Sequence, residues 1–293
     1  KQREIILRKN ENGEIPYLTD LLEDKMIPTN TILCKKLTGL GATYSEIKAP
    51  RHSIIIEPNR PVIIGKCKAP EHKDDNLFGV HQGIFTDDII DYIEESEGKF
   101  LKILTTPESF HKVEEALQAT DIEIRFHCFL LFDECHKIIK DVNYRADISL
   151  PMDFFFQCRY KALVSATPIE FTDPRFEAQG FEAITIVPDF NHTKEMHIHS
   201  TNNLLQTIKQ VLDEMKDVAQ PLFLFCNSTD TIYALMVQLG LLEDSAVFCS
   251  EKSVRKLKDK GFETAIRSLV RTPEGYNILR EAMMEQRISL IKH

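Results

Sequence analysis

The sequence predicts an α/β protein of two domains, each built on a parallel sheet. Three observations lead there. Short apolar runs alternate with amphipathic stretches along the whole chain, the order of strands and crossover helices. Most of those runs are apolar on both faces, as strands covered by helices on either side must be. The length, 293 residues, suits two domains of about 100–200 residues each.

In chain order the predicted strands are 31–34, 53–57, 101–105, 128–133, 162–165, 184–187, 221–226 and 246–249. The helices between them are read from caps and apolar stripes. Thr86 followed by Asp87 and Asp88 reads as a cap with an acidic first turn, and Ile89, Ile90 and Ile93 form the stripe behind it. Phe110, Val113 and Leu117 make a second stripe. Leu204, Leu205, Ile208, Val211, Leu212 and Met215 make the most regular one. Thr272-Pro273-Glu274 opens a last helix with a cap, a proline at the first helical position and an acidic residue. Residues 188–200 carry little periodicity and mark a junction. The division expected is an N-terminal extension at 1–29, a first domain at 30–190 and a partial second domain at 191–293.

Composition narrows the function classes. No apolar run approaches the ~20 residues that span a bilayer, so no membrane partner is expected. Seven cysteines without a C-x-x-C pair read as reduced, buried thiols in a cytoplasmic setting, not as a disulfide frame or zinc site. The net charge is −9, and residues 194–293 carry 13 basic and 13 acidic residues, so the first part holds the whole acidic excess. Bulk charge therefore gives no nucleic-acid footprint, although a local basic groove can still attract a polyanion.

Three strings carry chemistry. Lys36-Leu37-Thr38-Gly39-Leu40-Gly41-Ala42-Thr43 follows a strand and precedes a helix turn, the setting of a phosphate-binding loop. There glycines let backbone N–H groups approach phosphate oxygens, and the hydroxyl after them can bind Mg²⁺. Ala42 stands where such a loop carries its lysine. Phe129-Leu130-Leu131-Phe132-Asp133-Glu134-Cys135-His136 delivers two carboxylates at the end of a buried strand, where nucleotide phosphates sit in open α/β sheets. Asp133 can hold Mg²⁺, and Glu134 can orient or deprotonate a water. Ala162-Leu163-Val164-Ser165-Ala166-Thr167-Pro168 ends another apolar strand on small hydroxyl residues.

In order, Thr38-Gly39-x-Gly41-x-Thr43, Glu57-Pro58-Asn59-Arg60, Thr106-Pro107-Glu108-Ser109, Asp133-Glu134-Cys135-His136 and Ser165-Ala166-Thr167 resemble motifs I, Ia, Ib, II and III of superfamily 2 helicases of the DEAH/DECH type. The stretch 221–228 resembles motif IV, which opens the second domain, so the likeness covers roughly residues 30–250. The resemblance implies two RecA-like domains, ATP and Mg²⁺ as cofactors, and single-stranded DNA or RNA as partner. It further implies that Thr38, Gly39, Leu40, Gly41, Ala42 and Thr43 cradle phosphate, with the metal on Thr43 and Asp133. Glu134 would position the attacking water, and His136, Ser165 and Thr167 would link nucleotide state to interdomain contacts. Arg60, Thr106 and Ser109 would face the phosphates of the strand.

Two departures stand out. Ala42 removes the cation that neutralises the phosphates, and Lys36 either reaches back in its place or is a solvated lysine at a strand end. No string matches motifs V and VI, where the family keeps its arginine fingers; Arg255, Arg267, Arg271 and Arg280 lie outside any such pattern. The expected function is thus a helicase or translocase core with impaired hydrolysis, either a piece of a longer protein or a degenerate relative. The alternative is a non-hydrolysing scaffold that binds a protein or nucleic-acid partner. Of the remaining features, His197 and His199 read as linker or edge-strand residues, Phe154-Phe155-Phe156 as a buried helix end, and the lysines and arginine between 252 and 260 as a solvated face.

Overall fold

The computed structural model describes residues 1–136, 151–167, 173–192, 200–215, 224, 226, 228–241, 247–249, 253, 255 and 270–271. The chain forms two compact units, Lys1–Thr193 and Lys194–His293.

The first unit holds eight strands among its described residues: β1 (Gln2–Leu7), β2 (Thr31–Cys34), β3 (Ser53–Ile56), β4 (Leu77–Val80), β5 (Lys102–Thr105), β6 (Phe129–Phe132), β7 (Tyr160–Ser165) and β8 (Glu182–Pro188). They form one sheet in the order β1-β8-β2-β7-β6-β3-β5-β4. Every pairing is parallel. The helices are α1 (Leu18–Leu21), α2 (Ala42–Lys48), α3 (Arg60–Lys68), α4 (Thr86–Glu95), α5 (Phe110–Ala119), α6 (Ile124–His127), α7 (Pro151–Gln157) and α8 (Pro174–Ala178).

The predicted two-faced burial is visible residue by residue. Ile54 and Ile56 of β3, with Leu130 and Phe132 of β6, join one apolar cluster; Phe110, Val113 and Leu117 of α5 and Ile89 and Ile93 of α4 complete it. Ile55, Phe129 and Leu131 face the other way, into a cluster with Leu33, Val164, Ile47 of α2 and Ile63 of α3. Successive strand residues point to opposite faces, so a run of buried residues needs helices on both sides. Phe155 and Phe156 pack among Phe132, Phe176 and Phe181, which makes them core residues.

Two strands of this sheet were absent from the sequence prediction. Residues 1–29, expected as an extension, supply β1, which pairs in parallel with β8 at the sheet edge. β4, the opposite edge, contains Gly79. A third difference is the start of α4. The cap position belongs to Phe85, and Thr86 is the first helical residue. Asp88 still serves the helix start, accepting from the Phe85 N–H at 2.7 Å.

In the second unit the described elements are α9 (Leu204–Glu214), α10 (Thr229–Gln238) and the two-residue parallel pair β9 (Val247–Phe248) and β10 (Val270–Arg271). Asn203 and Ser228 cap α9 and α10 through their side chains. Strand 221–226 lies largely outside the described residues, as do His197, His199 and the helix expected after Thr272. Among the described residues the seven cysteines are free, and no helix is long and apolar enough to cross a membrane.

Candidate functional site

Sheet order brings the carboxyl ends of β2, β7, β6 and β3 side by side. Lys35 follows β2, Ser165 ends β7, Asp133 follows β6 and Glu57 follows β3. Adjacent strands lie about 4.8 Å apart, so these side chains, distant in sequence, must meet at one edge. In open α/β sheets that edge is where ligands bind.

The backbone of the loop between β2 and α2 turns sharply. Lys36, Gly39 and Gly41 have φ of 53°, 79° and 78°. At Gly41 the glycine is needed twice over, because a Cβ there would stand 3.1 Å from Tyr17 Cδ1. The turn starts α2 at Ala42 and aims the Thr43 hydroxyl at the strand ends. Thr43 Oγ1 hydrogen-bonds Asp133 Oδ2 and lies 3.2 Å from Glu57 Oε1.

One hydroxyl proton serves only one of those carboxyls. Burial and the neighbouring Asp133 push the Glu57 carboxyl up to about 7. A protonated Glu57 can donate to Thr43, and Thr43 can donate to Asp133. That order satisfies all three groups.

Asp133 carries a second contact. Lys35 Nζ donates to Asp133 Oδ1 at 3.2 Å and to Glu134 Oε1 at 3.3 Å. Lys35 is buried, at 5% exposure, and Asp133 at 3%. Burial opposes the ammonium charge, but the Asp133 and Glu134 carboxylates outweigh it and raise the Lys35 pKa above its ordinary value. His136 Nδ1 lies 2.9 Å from Ser165 Oγ and 3.3 Å from Glu134 Oε2. Ser165 Oγ donates to the Thr167 carbonyl and accepts from the Thr167 N–H, at 2.8 and 3.0 Å. With its own proton so used, Ser165 accepts from His136.

The predicted residues thus divide. Thr43, Asp133, Glu134, His136, Ser165 and Thr167 form one connected cluster. Leu40 and Ala42 bury their side chains in the apolar cluster under the loop, while Thr38, Gly39 and Lys36 are exposed. The lysine in the cluster is Lys35, while Lys36 is the exposed lysine at the strand end that the sequence also allowed. Strand parity could have found Lys35. Thr31, Leu33 and Lys35 are all buried in alternation, and at Lys36 the chain leaves the strand with φ of 53° and an exposed side chain.

The donor set, hydroxyl and carboxylate oxygens, suits a hard cation such as Mg²⁺. Among the described residues no three His, Cys, Asp or Glu side chains are grouped to hold a metal alone. Mg²⁺ takes one or two carboxylates and completes its shell with waters and phosphate oxygens, so Thr43 and Asp133 fit it as partial ligands.

A groove of about 500 Å³ lies along the ends of β3, β5 and β4 in the same sheet, lined by Pro58, Arg60, His81, Gln82, Thr106, Glu108, Ser109, His111 and Lys112. It gathers all three residues expected at nucleic acid. Arg60 is exposed, whereas Thr106 and Ser109 are 7% and 5% exposed and show the groove only an edge. Lys112 anchors the far wall by donating to the Ile84 carbonyl at 2.7 Å.

No family model and no curated protein matches the chain. Solved helicase structures are similar to it. A DEAD box protein from Methanococcus jannaschii is 16% identical, with 88% of this chain and 74% of that one covered at a TM-score of 0.40. A hypothetical ATP-dependent RNA helicase from Sulfolobus tokodaii is 14% identical, over 85% and 75%, at 0.37. The Hef helicase domain from Pyrococcus furiosus is 16% identical, over 96% and 56%, at 0.40.

Proposed function

We propose that the chain is a helicase-like core that binds ATP with Mg²⁺ and single-stranded DNA or RNA, and hydrolyses ATP slowly. One observation carries this reading. The hydroxyl of the glycine loop, Thr43, bonds the carboxylate of Asp133 across 90 residues of sequence, with Glu134 beside it. A loop hydroxyl and a strand-end Asp–Glu pair meeting at the carboxyl edge of a parallel sheet make a site for a metal-bound polyphosphate.

The roles of the chain's own groups follow from their contacts. Thr43 and Asp133 would ligate Mg²⁺, which when bound neutralises and orients the phosphates. Glu134, held by Lys35 and His136, would orient the attacking water and accept its proton. His136, Ser165 and Thr167 form a hydrogen-bonded path out of the cluster, by which a shift at Glu134 would reach the segment after β7. The groove with Arg60 and Lys112 would take the strand's phosphates, with Thr106 and Ser109 as short hydrogen-bond partners.

The test is a titration with a fluorescent ATP analogue in the presence of Mg²⁺. Saturable binding by the native chain, lost on chelation and weakened at least tenfold by Thr43→Ala, is expected. A native chain that does not bind the analogue would remove the reading.

A further inference from the structure

Beyond holding Glu134, Lys35 has a second feature in the cluster. Lys35 is a buried lysine whose ammonium is directed at the two carboxylates the proposed chemistry uses. The loop meanwhile lacks the lysine expected before its hydroxyl, since Ala42 stands there and buries its side chain in the apolar cluster. Lys35 Nζ and Thr43 Oγ1 bind the two oxygens of the same carboxylate, Asp133 Oδ1 and Oδ2. The ammonium and the hydroxyl therefore share one carboxylate, although the ammonium comes from the end of β2 and not from α2.

We propose that Lys35 is the phosphate-binding cation of this site, delivered by the strand before the loop instead of by the helix after it. Its ligand is the polyphosphate of a nucleoside triphosphate. The inference rests on the ATP-binding reading above. Two physical points support it. Lys35 can exchange acceptors without moving far, because an ammonium has three donors and phosphate oxygens would lie against the carboxylate it already holds. Burial also makes the charge effective, since its field is not screened as that of an exposed lysine such as Lys36 is. The simpler role, neutralising Asp133 and Glu134 for the sake of the fold, makes different predictions.

The experiment uses the native chain and an ATP probe carrying an acyl group on its terminal phosphate. A lysine at the phosphates gives a proton to solvent, a step favoured at alkaline pH, and attacks the acyl carbon as the free amine, whose nitrogen releases a second proton to solvent as the amide forms. An amide forms, the acyl–phosphate bond breaks, and ATP leaves. Peptide mapping then locates the label. The expected result is acylation at Lys35, suppressed by excess ATP. Label on Lys36 or on another lysine, or no ATP-suppressible label from a chain that binds the fluorescent analogue, overturns the assignment and leaves the ATP-binding reading standing. A chain that fails to bind the analogue at all overturns that reading instead.

Titration of Lys35→Met and Lys35→Arg adds a second measurement. Loss of a charge-assisted hydrogen bond should weaken the analogue about 10- to 100-fold in Lys35→Met, with most of the affinity kept in Lys35→Arg. Mn²⁺ alone, followed by its electron spin resonance, should bind Lys35→Met at least as tightly as the native chain, because no ammonium competes for Asp133. Unchanged affinity for the analogue in a folded Lys35→Met would assign the lysine a structural role only.

Discussion

Lys35 and Asp133, 98 residues apart in sequence, form an ion pair of 3.2 Å with both side chains almost wholly buried. The strands they follow, β2 and β6, are not neighbours; β7 runs between them. The pair therefore spans the sheet edge and ties the glycine loop to the acidic turn. Breaking a buried pair strands the remaining charge, which costs more than the pair itself contributes.

Asp133→Ala should accordingly destabilise the first unit by about 3–5 kcal/mol. It removes the Lys35 and Thr43 partners together, along with the acceptor of the Glu134 N–H at 2.9 Å. Urea unfolding followed by circular dichroism measures this. A loss below about 1 kcal/mol, the range of exposed pairs, would contradict a buried pair.

Glu57 predicts a pH dependence of stability. Its folded carboxyl titrates near 7 through burial and the adjacent Asp133, whereas an unfolded glutamate titrates at about 4.3. Between those values the folded chain holds the extra proton, so stability falls as pH rises from about 4.3 towards 7 and levels off above. Glu57→Gln, which keeps a donor to Thr43, should flatten that decline. The readout is the urea midpoint at pH 5, 6, 7 and 8 for both proteins. Parallel declines would show that another group titrates.

Gly79 predicts an overpacking effect. A Cβ at this position would stand 2.8 Å from Ile63 Cγ2 and 3.0 Å from Cys67 Sγ. Gly79→Ala should thus push α3 off β4 and cost about 1–3 kcal/mol, against the usual small gain from glycine to alanine in a strand. Thermal melts decide the sign. A stabilised variant would mean that Ile63 and Cys67 give way freely.

The groove predicts weak, salt-sensitive binding of single strands. Arg60 and Lys112 supply its positive charge, while Glu108 opposes them on the same wall. Micromolar affinity at low salt, falling steeply with ionic strength, is the expected result with labelled oligonucleotides. Arg60→Ala should weaken binding across sequences and lower the salt slope by about 1. Undetectable binding at low salt would remove the groove assignment.

These sites differ in how far the sequence revealed them. Strand 128–133 was legible because four buried apolar residues lead straight into Asp133. β4 was not, since Gly79 and half-buried neighbours break both the apolar run and the alternation. β1 was hidden for a related reason. It is an edge strand whose exposed and half-buried residues alternate, and only Leu7 is buried. That Thr43 and Asp133 would stand at neighbouring strand ends could be read from type and order, but the buried lysine paired with Asp133 could not. A family pattern directs attention to position 42 and to Lys36, where the family usually has a small residue. What distinguishes Lys35 from its neighbour is the fold: Lys35 continues the buried alternation of Thr31 and Leu33, whereas Lys36 turns out of the strand at φ of 53°.

The last prediction concerns turnover. Phosphoryl transfer needs charge neutralisation from three sources: a lysine, a metal and an arginine finger. In the proposed site Lys35 supplies the first, and Thr43 and Asp133 hold the second. The third has no candidate in a recognisable string, since Arg255, Arg267, Arg271 and Arg280 stand outside any helicase pattern. An arginine finger is worth ~10³–10⁵ in rate, so the chain should hydrolyse ATP at least about 10³-fold more slowly than the ~10 s⁻¹ of a median enzyme. Ala42→Lys should not repair this. Residue 42 is buried at 3% exposure, and a lysine there would crowd the apolar cluster and set a like charge beside Lys35. Phosphate release, measured with and without single-stranded DNA and RNA, is the assay, and Glu134→Gln should lower whatever slow rate remains. Brisk, nucleic-acid-stimulated release by the native chain would sink the prediction. Alanine substitution at each of these four arginines and at Arg287 would then identify which of them acts as the finger.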